Sequence, residues 1–199
     1  MKELIRNRDG GISTIILVLL PLLIIALIGV TETARNTYTS IDLQQAVDSA
    51  VRAGAMCVDN EAQANMDIRV DPEQADAAFR KVLALNLGLD ETTLAPEANS
   101  GVAETPIYQL VIVNGTNPYV AEGQVVTSDG GYSTVDIETG VLPVSCGVSD
   151  SGISVGGAGD RQLTLVSPGC VAVVVVKMKA VMTADYDIVR WSSARIVTS

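Results

Sequence analysis

Residues 11–31, GISTIILVLLPLLIIALIGVT, decide how this chain is to be read. No charge falls between Gly10 and Thr31, and Asp9 and Glu32 border the run. As a helix it rises about 33 Å at ~1.5 Å per residue, enough to cross a hydrocarbon core of ~30 Å. An ordinary secretory signal has a shorter apolar region that ends in a small-residue cleavage site. No such site follows Ala26 or Gly29, so removal after the apolar run is not expected. Lys2, Arg6 and Arg8 precede the run. Positive charge stays inside, which predicts a cytoplasmic N-terminus, a single pass through the plasma (inner) membrane, and residues 32–199 outside. Pro21 removes a backbone hydrogen bond in mid-run, and a kink or local loosening is expected there.

The run does not end in a turn. Residues 32–56, ETARNTYTSIDLQQAVDSAVRAGAM, contain no Pro, and no Gly before Gly54. Ala34, Tyr38, Ile41, Leu43, Val47, Ala50 and Gly54 recur at the spacing of one helical face, with Arg35, Asp42, Gln45, Asp48 and Arg52 on the others. One helix is predicted from about Gly11 to Met56, apolar all round in its first half and amphipathic in its second. Such an element packs in a membrane or filament core at one end and anchors a globular head at the other.

These residues also resemble a known family. RNRDGGISTIILVLLPLL (6–23) followed by IDLQQAVDSAVRAGAM (41–56) is similar to the N-terminal region of TadE/TadG-like proteins, minor pilins or pseudopilins of tight-adherence (Flp-type) pilus systems. In that family a basic leader ends in glycine, an apolar stretch with a Leu-Pro follows, and a helix then carries an LQ.A.D.A..AGA pattern. Leu20-Pro21, Leu43-Gln44, Ala46, Asp48, Ala50 and Ala53-Gly54-Ala55 occupy those places. The resemblance covers about the first quarter of the chain. It implies a leader over 1–10, cut by a prepilin peptidase between Gly10 and Gly11, or alternatively after Gly11.

It also implies partners: other pilin or pseudopilin subunits, the inner-membrane assembly platform, the peptidase and membrane lipid. Contacts made by the apolar helix would rest on close packing around residues such as Gly29 and Ala26. Pilins of the wider class usually carry a glutamate at the fifth mature position, where it pairs with a neighbour's terminal amine. That position is Ile15 counting from Gly11, or Ile16 counting from Ile12. An isoleucine cannot neutralise a buried amine, and a lone buried charge is costly. The resemblance therefore implies a tip, initiating or membrane-resident assembly factor rather than a repeating shaft subunit. The alternative reading is an unprocessed signal anchor bearing an extracytoplasmic binding or adhesion module.

Beyond residue 57, an intermediate region over 58–104 is expected to hold a second helix. DPEQADAAFRKVLALNLGLD (71–90) opens with Asp71 as N-cap and Pro72 at the first helical position, and Gly88 stops it. Phe79, the only Phe, reads as a core anchor within this helix at about 72–87. Residues 90–105 read as a polar linker. From 105 to 199 the texture is β: short runs at 107–115, 123–129, 133–140, 161–167, 170–183 and 194–199 are rich in β-branched residues and separated by Gly, Asn, Asp and Pro. The predicted class is α+β, with an antiparallel sheet head packed on the amphipathic half of the first helix and on the second helix.

Composition bounds the chemistry. Among 199 residues there is no histidine, which removes Ser-His-Asp and Cys-His catalysis and His-ligated zinc. A net charge of −10 argues against nucleic acid as a partner. SDSGISVGGAGD (149–160) offers Asp150 and Asp160 to calcium but lacks EF-hand spacing and a terminal glutamate, so a flexible loop is expected. Asn114-Gly115-Thr116 fits a glycosylation acceptor or a hairpin turn, and its strand context favours the turn. Cys146 and Cys170 lie 24 residues apart and read either as a loop-closing disulfide or as small buried hydrophobes, with Cys57 left over as an odd thiol. No carboxylate pair is singled out by spacing. No catalytic residue, cofactor or metal site is assigned, and the chain is read as not an enzyme.

Overall fold

The structure, a computed structural model, describes residues 2–116, 120–135, 142–180 and 184–196. Parts of the strand segments expected at 133–140, 170–183 and 194–199 lie outside the described residues. Two compact units divide the chain, Met1–Ile41 and Asp42–Ser199. Every described residue of the first is helical: α1 runs from Lys2 to Ala55, unbroken at Pro21, and its last turns belong to the second unit.

Two further helices follow, α2 (Asn60–Ala64) and α3 (Pro72–Leu87). The capping signals in the sequence explain the limits of α3. The Asp71 carboxylate accepts from the backbone N–H groups of Glu73 and Gln74 at 3.0 and 3.1 Å, satisfying donors that the first turn leaves open. At the other end Gly88 adopts a left-handed φ of 65°, and its N–H closes on Ala84.

Eight strands follow: β1 (Ile107–Thr116), β2 (Val120–Thr127), β3 (Tyr132–Val135), β4 (Val144–Ser149), β5 (Gly152–Val155), β6 (Arg161–Leu165), β7 (Gly169–Met178) and β8 (Tyr186–Arg195). They form two antiparallel sheets, a five-stranded one ordered β3-β2-β1-β7-β8 and a three-stranded one ordered β5-β4-β6. The second unit is thus α+β, in three layers.

Strand alternation assigns the faces of the large sheet. Leu110, Ile112, Cys170, Ala172, Val174 and Ile188 point to the helices, into one core with Leu43, Val47, Ala50, Val51, Phe79 and Leu83. Val111, Val113, Val125, Val171 and Val173 point the other way, into a second core closed by Val144, Cys146, Val148 and Leu165 of the small sheet. The central strands are buried on both faces, which explains their nearly continuous valine runs.

Helix α1 crosses α3 at Gly54, where a Cβ would lie 3.2 Å from the Ala75 carbonyl oxygen, so the glycine permits the close approach. Phe79 stacks on Tyr108 at 5.0 Å with the rings tilted by 47°, and the Tyr108 hydroxyl donates to buried Asp76 at 2.5 Å.

Three sequence expectations change in detail. The apolar stripe of α1 that enters the core starts at Leu43 and includes Ala46 and Val51, whereas Ala34, Tyr38 and Ile41 are exposed. Residues 90–105 are less a linker than a pinned coil. Leu94 and Val102 are buried, Val102 bridges to Met178, and the Ser100 hydroxyl donates to the Leu87 carbonyl at 2.7 Å. The segment 149–160 is not simply a flexible loop, since it holds β5, paired to β4 from Cys146–Val155 to Ser149–Gly152. Within its glycine run, Gly159 has a steric cause: a Cβ there would sit 2.5 Å from the backbone nitrogen of Val148.

Candidate functional site

The apolar half of α1 buries nothing within its own unit. Every large apolar side chain from Ile15 to Ile25 is exposed, as are Leu27 and Val30, with Ile15 at 63%. These residues cover all sides of the helix, whereas a surface helix of a water-soluble domain shows one apolar stripe. By length and composition, α1 is the one helix among the described residues able to cross a membrane. Three threonine hydroxyls at the end of the run are satisfied within the helix. The hydroxyls of Thr31, Thr33 and Thr37 donate to the carbonyls of Ile28, Gly29 and Thr33 at 2.8, 2.9 and 3.0 Å. Such back-bonding satisfies these three hydroxyls without water, as suits the edge of an apolar setting.

The residues singled out in the sequence fall as follows. Gly10 and Gly11 lie within the helical backbone of α1. Ile15 lines an apolar notch with Val18, Leu19 and Leu22, which share one helical face. Pro21 is exposed inside the helix. A Cβ on Gly29 would meet nothing within 4 Å, so no contact described in this chain demands a glycine there.

The sequence left two readings of Cys146 and Cys170 open, a disulfide or small buried side chains. Cys57, Cys146 and Cys170 are all free thiols. Cys170 belongs to the core beneath the helices, and Cys146 to the core between the sheets. The large sheet lies between them, and both pack as small buried side chains, the second of the two readings the sequence left open. Burial pushes both thiols above their ordinary pKa, Cys170 up to about 12.

Asn114 is neither a hairpin turn nor an exposed glycan acceptor. It is a β1 residue only 6% exposed, and it faces Val70. The Val70 N–H donates to its side-chain oxygen at 2.8 Å, and its amide nitrogen donates to the Val70 carbonyl at 3.0 Å.

The head carries one feature that sequence reading missed. A cleft of about 540 Å³ is lined by Gln44, Asp150, Arg161, Asp187, Arg190 and Trp191, among others. The Arg161 guanidinium lies over the Trp191 ring at 5.7 Å, and Gln44 donates to the Trp191 carbonyl at 3.1 Å. A smaller adjoining hollow brings Asp150 and Asp160 to the same walls. No group of three or more metal-ligating side chains occurs among the described residues. The usable signal was that Trp191 is the only tryptophan in the chain.

Residues 10–57 match the family described as "Putative Flp pilus-assembly TadE/G-like". That match takes in the whole exposed apolar run and ends just beyond α1. No curated protein and no solved structure matches the chain. The match covers about a quarter of the chain and supports involvement in a tight-adherence pilus.

Proposed function

We propose that this protein is a minor pilin or pseudopilin of a tight-adherence pilus, held in the plasma membrane by α1 before assembly. One observation carries the reading: the helix that is apolar and exposed on every side is the segment that matches the TadE/G-like family. Lys2, Arg6 and Arg8 keep the N-terminus cytoplasmic, and the unit from Asp42 onward lies outside. A prepilin peptidase removes the leader between Gly10 and Gly11, or after Gly11. Residues 15–30 then pack against other pilin subunits and lipid, and Gly29 allows close approach of a neighbouring backbone.

The apolar Ile15 favours a tip, initiating or membrane-resident role, because it offers no carboxylate to a neighbour's terminal amine. Immunogold labelling of the exported head on whole cells and sheared pili tests this placement. Label at filament ends and in the membrane is expected. Label spaced evenly along the shaft defeats the terminal role, and label confined to soluble fractions defeats the pilin reading altogether.

A further inference from the structure

Of the three thiols, two share one compartment of the fold. Cys170 sits on β7 facing the helices, and Cys57, just past the end of α1, packs against that same core. Cys146 lies in the other core, across the sheet. A short ladder carries Cys57 toward β7. Its carbonyl accepts from the Asp71 N–H at 2.8 Å, and the adjacent Val58 and Val70 form a bridge. Asn114 on β1 clamps the Val70 backbone through both of its amide atoms. Two residues along β1, on the same face, Ile112 stands opposite Cys170.

We infer that Cys57 and Cys170, both free thiols in this structure, are the two that oxidation joins in the exported head, tying the end of α1 to the centre of the large sheet. Cys57 also acts electrostatically on Cys170, although burial is the larger cause of the raised Cys170 pKa. Cys57 is half-buried and gives up only a 3.4 Å thiol contact to the Ala53 carbonyl, so it is the sulfur an oxidant reaches first. Its thiolate attacks the disulfide of a thiol–disulfide oxidant, expelling one thiolate and leaving a mixed disulfide. The Cys170 thiolate then attacks the Cys57 sulfur and releases the oxidant's second thiolate. Each cysteine gives up one proton, and the two electrons reduce the oxidant to a dithiol. The closure takes place as the sheet folds, before Cys170 is sealed in the core.

In cells the bond rests on the proposed export of the head, so the test has two arms. Trypsin places the three cysteines on separate peptides, 53–69, 82–161 and 162–177. In the first arm the full chain, purified in detergent and reduced, is refolded in a glutathione redox buffer, quenched with N-ethylmaleimide in denaturant and mapped without reduction. A 53–69 to 162–177 cross-link is expected, retained in Cys146→Ser and lost in Cys57→Ser. Two separately alkylated or glutathionylated peptides, or a link from 162–177 to 82–161, overturn the pair. The second arm maps the chain taken directly from cells. A chain that links in the buffer but is reduced in cells upholds the pair and counts against the exported head.

Discussion

Asn114 holds two backbone groups of Val70 in a place that water does not reach. Truncating it leaves both unpaired, at roughly 1–3 kcal/mol for each orphaned group. Asn114→Ala is therefore expected to lower the unfolding free energy of the full chain by about 2 kcal/mol or more in denaturant titrations. A loss below about 0.5 kcal/mol, the scale of an ordinary surface change, contradicts the clamp. Cys170 supplies a pH dependence. Burial, and secondarily Cys57, raise its folded pKa to about 12 from an ordinary 9.0. The unfolded thiol ionises first, so the contribution is complete below pH 9 and is lost as pH rises toward 12. Thermal unfolding of the reduced chain is expected to fall in midpoint across that window. Cys170→Ala is expected to flatten the response, and an unchanged slope in that variant argues against the assignment.

Among the elements, α3 depends on signals that are local and therefore legible. Asp71, Pro72 and Gly88 announce both ends, and each acts within one turn. Asp71→Ala is expected to cost about 0.5–2 kcal/mol, read as a shift in the denaturant midpoint at constant slope. The same kind of local signal misleads at Asn114-Gly115. The pair suits a tight turn, but a partner 44 residues away recruits Asn114 into a strand. Spacing likewise could not place Cys146 and Cys170, because proximity in sequence does not say which side of a sheet a residue faces. In α1 the periodicity of Ala34, Tyr38 and Ile41 marks an apolar face without showing whether its partner lies in the same chain. They are exposed, Tyr38 at 69%. Ile15→Glu tests the first half of α1. Restoring a carboxylate to the fifth mature position is expected to increase copies along sheared pili, counted by quantitative mass spectrometry. An unchanged or lower count contradicts the role given to Ile15.

At the scale of the molecule, two kinds of surface coexist. The unit from Asp42 onward closes two cores around one sheet, and no buried side-chain polar atom among the described residues lacks a partner. The apolar run of α1, by contrast, presents its side chains to whatever surrounds it. The α+β class was readable from composition and period. The small sheet and the Trp191 cleft were not, since both depend on strands from separate parts of the chain meeting. The central claim is that the exposed helix enters a membrane, and later a pilus, through a processed pilin-type N-terminus. Mass spectrometry of the mature N-terminus, on protein from cells with an active prepilin peptidase, tests it most directly. A chain beginning at Gly11 or Ile12 is the expected result, and an intact Met1 contradicts it.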